Sequence, residues 1–165
     1  MATDSPQLGL EPAVLRRVAG GLALLVAVIH LFHPTYGFPR LLEYLRLGTL
    51  YDPRPLLFTL SAVAIIAGVL LAFNGAPRRP LYVAGILLMV SYLAGYAAWH
   101  TVLEHGAFWP HIEAHGHHDA GVFEVVVDHL RADTWELVSK VSETALLLLL
   151  VALTVIDDGD PDDAA

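Results

Sequence analysis

Cysteine is absent from the 165-residue sequence. Without a thiol, the chain itself forms no disulfide, supplies no thiolate to a metal or iron–sulfur cluster, and carries no cysteine nucleophile. Glycine-rich phosphate loops of the GXXXXGKS, GXXXXGKT and GXGXXG types are also missing, as is the GXSXG turn that presents a serine nucleophile. These absences exclude the commonest nucleotide-binding and serine-hydrolase sites.

Basic residues are scarce as well. One lysine and eight arginines face 17 acidic residues, and the formal net charge is -8. This balance, with no basic cluster, argues against nucleic acid as a partner. An excess of carboxylates with little lysine is typical of proteins that stay hydrated in concentrated salt.

Apolar side chains are abundant: 56% of the residues are hydrophobic. Such a composition is not that of an ordinary soluble domain and indicates a membrane protein. Four apolar runs have close to the roughly 20 residues that a helix needs to cross a bilayer core. These predicted spans are 13–33, 55–73, 80–103 and 134–156. The two arginines before the first run are also typical of a signal peptide, but no small-residue cleavage pattern follows.

The spans define the predicted fold class, an all-α integral membrane protein with a four-transmembrane-helix up-and-down bundle over 13–156. A polar segment, 1–12, precedes it, and an acidic tail, 157–165, follows and is expected to be disordered. A histidine-rich loop joins the third and fourth spans. Short amphipathic interfacial helices are expected after the first span, where Gly48 ends the pattern, and at 121–130.

Arginine placement predicts the orientation of the chain in the cell membrane. Arg16 and Arg17 lie against the start of the first span, and Arg78 and Arg79 fill the short connection before the third. The basic residues on the opposite side are diluted over longer loops that also hold acids. Because cytoplasmic loops are enriched in arginine and lysine, both termini are predicted to be cytoplasmic.

All nine histidines fall on one predicted membrane face. His30 and His33 close the first span, and His100 and His105 close the third. The others occupy the loop that follows, so that the stretch 99–129 holds seven of the nine. Something at this face is therefore arranged around imidazole groups.

Helical spacing brings three polar stripes toward the same depth. His30 continues a strip of small residues on the first span that predicts close approach of a neighbouring helix. The small residues of that strip are Gly20, Ala23 and Ala27. The polar stripes are His30 and His33 on the first span; Tyr92, Tyr96, His100 and Glu104 on the third; and Glu136, Lys140 and Glu143 on the fourth. Ionisable residues at membrane depth mark a functional site by default. The blander alternative is that Glu136 and Lys140 form an ordinary pair whose lysine reaches water.

Imidazole and carboxylate groups on facing helices are ligands for zinc, copper, iron or nickel. The candidate metal ligands are His30, His33, His100, Glu104, Glu143, His111, His115, His117 and His118. A second option is haem b, with His30 and His100 as its two axial ligands. The segment 111–119 is predicted to capture a divalent transition metal, although a solvated polar loop or a pH sensor has the same composition.

The resulting functional hypothesis is a multi-pass membrane protein with a histidine/carboxylate cluster that binds a transition metal or haem, in a membrane redox complex. The alternative is a noncatalytic accessory or scaffold subunit without a bound cofactor. The expected partners are the lipid bilayer and other membrane subunits or a second copy of the chain. The sequence names no reaction, so whether the protein is an enzyme stays open.

Overall fold

The computed structural model describes residues 11–103, 106 and 121–157, and this part of the chain contains helices and no strand. The six helices are α1 (Pro12–Leu31), α2 (Phe38–Leu47), α3 (Arg54–Phe73), α4 (Arg78–His100), α5 (Val122–Ala132) and α6 (Thr134–Asp157). Four of them, α1, α3, α4 and α6, are long and apolar enough to cross a membrane. The predicted all-helical class and its four long apolar segments are confirmed. Both ends of each of these four helices lie within three residues of the ends of the predicted span.

Local chemistry explains where the helices begin and end. Proline lies in the first turn of α1, α2 and α3, where its missing N–H would have no helical partner. Gly48 closes α2 in the left-handed conformation with φ 66°, as the sequence predicted. By contrast, α1 ends at Leu31, so that His33 lies beyond the helix that was predicted to include it.

A tight turn at 33–37 connects α1 to α2. The Gly37 amide donates to the His33 carbonyl, with an N···O distance of 2.8 Å. A Cβ at Gly37 would lie 2.5 Å from the Leu31 carbonyl oxygen and 2.7 Å from the His33 backbone nitrogen and oxygen. These are backbone atoms that cannot step aside, so the turn requires glycine.

The core lies where α6 packs against α4 and α1, and where α1 packs against α3. Its largest buried apolar side chains include Val26, Met89, Leu146 and Leu153. A Cβ at Gly85 would come within 2.7 Å of Leu150 Cδ1, which identifies Gly85 as the position of close helix approach. The sequence predicted this role for the strip that includes Gly20, but a Cβ there would meet no atom within 4 Å.

Two polar ends lie on either side of this core. The histidine end is where α1 and α4 finish and where α3 and α6 begin, and there His30 of α1 contacts Phe58 of α3 and Glu143 of α6. The arginine end is where α1 and α4 begin and α6 finishes. It is defined by Arg16, Tyr82 and Asp157, and the carboxylate of Asp157 accepts hydrogen bonds from both Arg16 and Tyr82.

Candidate functional site at the histidine end

The centre of the site is the carboxylate of Glu143, which is 0% exposed. Ser139, one turn earlier on α6, donates its hydroxyl to Oε1 at 2.7 Å. Lys140 Nζ lies 2.7 Å from both Oε1 and Oε2. A buried carboxylate costs free energy unless it has hydrogen-bond donors and a counter-charge. Ser139 and Lys140, on the same helix, supply both and so lower the cost of burying Glu143.

His30 brings an imidazole from α1 to the same carboxylate. Its Nδ1 lies 2.9 Å from the Val26 carbonyl oxygen, which can only accept, so Nδ1 carries a hydrogen. In the neutral ring Nε2 then has a lone pair, and this atom lies 3.4 Å from Glu143 Oε1. A hydrogen bond between these two atoms would therefore require a further proton, either on Nε2 or on the carboxyl group.

Aromatic rings from two other helices enclose His30. Tyr92 of α4 stacks on the imidazole with ring centroids 4.1 Å apart and planes 11° apart. Phe58 of α3 meets it edge-on at 4.9 Å. The Tyr92 hydroxyl donates to Ser61 of α3, which in turn lies within hydrogen-bonding distance of α3 backbone carbonyls. The inner cluster, defined as His30, Ser61, Tyr92, Ser139, Lys140 and Glu143, therefore joins all four long helices.

The outer cluster consists of Tyr96, His100, His129 and Glu136. The Tyr96 hydroxyl donates to Glu136 Oε2 at 2.7 Å, and His100 Nε2 lies 3.9 Å from the same oxygen. The ring of His100 lies 4.4 Å from that of Tyr96 and 4.2 Å from that of His129. This cluster joins α4, α5 and α6 close to their ends.

Lys140 belongs to the inner cluster and also approaches the outer cluster. Its ammonium is bonded to Glu143 in the inner cluster and stands 5.0 Å from the ring centroid of Tyr96 in the outer one. The distance to the Tyr92 ring is 5.9 Å. Both values are within the range in which a cation is attracted by an aromatic face.

Asp133 fixes the start of α6 and thereby positions Glu136. Its Oδ1 accepts the backbone N–H groups of Trp135 at 2.7 Å and Glu136 at 3.4 Å, as expected of an N-cap. In a full capping box Glu136 would return a bond to the Asp133 amide. Here that amide donates to the His129 carbonyl, and the Glu136 carboxylate accepts from Tyr96 instead.

His33 lies in the turn after α1, apart from both clusters. Its Nδ1 accepts the backbone N–H groups of Thr35 at 3.2 Å and Tyr36 at 3.1 Å, which requires an unprotonated nitrogen. Burial lowers the pKa of His33; Asp133 opposes this shift, and Arg54 and Lys140 add to it. His33 is therefore held neutral as an acceptor for its own turn.

The predicted ligands have different fates in the described part of the chain. His30 and Glu143 come together, whereas His100 faces Glu136. Tyr92, on which His30 stacks, precedes His100 by eight residues of α4, about 12 Å along the helix axis. His30 and His100 thus direct Nε2 to separate carboxylates.

Other predicted ligands lie outside the described residues. They are Glu104, His111, His115, His117 and His118. Within 11–103, 106 and 121–157, no group of three or more histidine, aspartate or glutamate side chains is arranged to hold a metal ion. The metal-binding roles of the five ligands outside the described residues stay predictions.

Seven members of the two clusters were not among the predicted ligands: Ser61, Tyr92, Tyr96, His129, Glu136, Ser139 and Lys140. Ser139 was detectable, because it stands four residues before Glu143 on the same helix face. Ser61 was not singled out, whereas Glu136 and Lys140 were placed in a polar stripe for which an ordinary ion pair was the alternative. His129 had no signal of its own, because its place beside His100 depends on how α5 folds back against α4.

Comparison of the chain with protein-family models, characterised proteins and solved structures gives no match. The geometry of the histidine end therefore carries the functional argument.

Proposed function

We propose that the protein is a four-span protein of the cell membrane whose histidine end binds protons and relays them within a membrane complex. In this proposal α1, α3, α4 and α6 form an up-and-down bundle, with the histidine-rich loop between the third and fourth spans. The termini lie on the cytoplasmic side with the arginine end, and α2 and α5 lie at the opposite interface. The length of the four helices and the arginines near the starts of α1 and α4 support this arrangement.

The contact between His30 Nε2 and Glu143 Oε1 carries the functional part of the proposal. Imidazole and carboxylate are the two side-chain types that exchange protons most readily near neutral pH. The Nδ1 hydrogen is committed to Val26, so a proton bound between Nε2 and Oε1 is an additional one. Buried ionisable groups facing a bundle interior are typical of proton relays.

The route toward the inner cluster runs through the outer cluster. His100 and Glu136 lie near the ends of α4 and α6, and Tyr96 connects Glu136 to the aromatic face beside Lys140. Each of these side chains can accept or donate a proton or orient a water molecule. On the other side of the inner cluster the core is apolar, with Met89 and Val26 fully buried. The proposed site therefore exchanges protons with the water at the histidine end.

Infrared difference spectroscopy on the protein in lipid tests this function. Lowering the pH should produce a carboxylic-acid band in wild type that is missing from Glu143→Gln, and the proton uptake of the two proteins should differ by about one proton per chain. The matched control is Asp157→Asn at the arginine end, which should keep the signal. Equal proton uptake in wild type and Glu143→Gln would overturn the proposal.

The outer cluster favours a second candidate, the binding of a transition metal or haem. Two imidazole rings from α4 and α5 lie 4.2 Å apart, beside the Glu136 carboxylate. Because the described residues supply no group of three ligands, this candidate requires donors from 111–119 as well. Metal content and an optical spectrum of the purified protein distinguish the cases. Zinc, copper, iron or nickel without a Soret band supports a metal site, and a Soret band supports haem b.

The accessory-subunit alternative makes a different prediction for the same two measurements. A scaffold needs neither proton uptake at Glu143 nor a bound cofactor. A protein that lacks the carboxylic-acid band, the metal and the Soret band would therefore be assigned to that class, with its exposed helix faces docked on partner spans.

A further inference from the structure

Lys140 has two carboxylates within reach on its own helix. Glu136 stands four residues before it and Glu143 three residues after it, so both lie on the same face of α6. A glutamate four residues N-terminal to a lysine is the more favourable arrangement on an isolated helix. The structure nevertheless pairs Lys140 with Glu143, at 2.7 Å to both oxygens.

Burial explains this choice. The Glu143 side chain is 0% exposed and that of Glu136 is 20% exposed. A charge that is removed from water needs a counter-charge more than one that water still screens. Glu136 also has a donor of its own in the Tyr96 hydroxyl. The preference for Glu143 therefore depends on Glu143 being negatively charged.

A proton at Glu143 removes the reason for the pairing. Lys140 would then be a cation inside the bundle next to a neutral acid. The groups around the ammonium come from three helices: His30 from α1, the rings of Tyr92 and Tyr96 from α4, and Glu136 and Ser139 from α6. The fourth long helix, α3, contributes uncharged residues, since Ser61 contacts Tyr92 and Phe58 contacts His30. Among these, Glu136 is the remaining carboxylate. One helical turn is about 5.4 Å, a distance that the flexible four-carbon stem of lysine spans.

We infer that Lys140 is a positioning residue that pairs with Glu143 when that carboxylate is charged and moves to Glu136 when Glu143 binds a proton. The inference rests on the proposed function and adds its coupling step. The proton comes from water at the histidine end, adds to Glu143, and breaks no covalent bond. The ammonium then competes with the Tyr96 hydroxyl for Glu136, so loading of the inner cluster alters the outer cluster.

The sequence offers an unusually clean probe, because Lys140 is the single lysine of the chain. Lysine labelled with ¹⁵N at Nζ gives one side-chain resonance. In wild type, this resonance should shift with the same pH midpoint as the carboxylic-acid band of Glu143. Through-space contacts should change from the side chain of Glu143 to those of Glu136 and Tyr96.

Two variants bracket the transition. Glu143→Gln imitates the neutral acid, so the lysine should contact Glu136 at every pH. Glu136→Gln removes the second position but keeps an acceptor for Tyr96, so Glu143 should still exchange a proton while the contacts to residue 136 do not appear. The wild-type titration supplies the same information if either variant fails to fold.

The possible failures are distinguishable. Proton uptake at Glu143 with an unmoved lysine resonance in wild type would overturn the inference and leave the proposed function standing. Lack of uptake at any pH would overturn the proposed function, and the coupling with it.

Discussion

The arginine end and the histidine end contain the same elementary unit, a carboxylate near a tyrosine and a basic side chain, but in different chemical settings. At the arginine end, Asp157 accepts from Arg16 Nε at 3.2 Å, from Arg16 Nη2 at 2.7 Å and from the Tyr82 hydroxyl at 2.8 Å. Guanidinium keeps its charge at any accessible pH. The positive charge that pairs with Asp157, and so connects α1 to α6, therefore does not titrate, and Tyr82 adds the contact to α4.

At the histidine end, the basic partners are a lysine and an imidazole. Glu143 is bonded to a flexible ammonium, and a nitrogen lone pair of His30 faces it at 3.4 Å. Imidazole changes protonation within the physiological range, and lysine can change partner. In the proposed function, a buried carboxylate becomes a switchable site through its partners rather than through burial alone.

The largest expected effect is on the stability of the histidine end. Lys140→Met leaves Glu143 buried without a counter-charge and should lower the free energy of unfolding by about 3–5 kcal/mol. The loss should shrink as the pH falls, because a proton then neutralises Glu143. Unfolding measured in detergent checks this, with Lys140→Met/Glu143→Gln as the control that should recover most of the stability. A single variant no less stable than the double variant would contradict the pairing.

The turn beside the histidine end should show the next largest effect. Gly37→Ala places a methyl group against the backbone of Leu31 and His33 and should cost about 2 kcal/mol. Gly20→Ala is the matched control, because its Cβ would meet no atom within 4 Å and alanine favours helix. Thermal unfolding of both variants gives the comparison. Equal midpoints would show that the turn at 33–37 yields easily.

A smaller effect is expected at the arginine end. Arg16→Gln removes both guanidinium contacts to Asp157 and should cost about 1–2 kcal/mol, since the arginine side chain remains partly in water. Proton uptake measured by infrared spectroscopy should stay at the wild-type value. If Arg16→Gln abolished that uptake, the two ends would be coupled and the distinction between them would fail.

The smallest effect concerns His33. Its pKa is lowered by burial, so between that value and about 6.5 the unfolded chain binds more protons than the folded one. The stabilisation is fully present above about pH 6.5 and is lost progressively as the pH falls below it. His33→Asn retains an acceptor for the amides of Thr35 and Tyr36 but does not titrate. The difference between the pH profiles of wild type and His33→Asn isolates this contribution, and superimposable profiles would contradict it.

Much of the helical framework follows from the sequence. The bilayer demands about 20 apolar residues per span, and proline and glycine mark helix limits locally, so the four long helices were predicted within three residues at each end. The gathering of His30, Tyr96, Glu136 and Glu143 toward one end follows from their positions near the ends or starts of successive spans, and helical periodicity gives only the face of its own helix on which each lies. Residues separated by three or four positions share a face whatever the surroundings.

Partner choice within that end was decided by tertiary structure. The sequence placed Glu136 and Glu143 equally within reach of Lys140 and predicted a common depth for His30 and His100. The structure pairs Lys140 with the fully buried Glu143 and stacks His30 on Tyr92, two turns before His100. Periodicity determines the direction of a side chain around its own helix axis. The depth, burial and contacts of that side chain depend on how neighbouring helices are shifted along their axes. Only the packing of the helices against one another establishes these shifts.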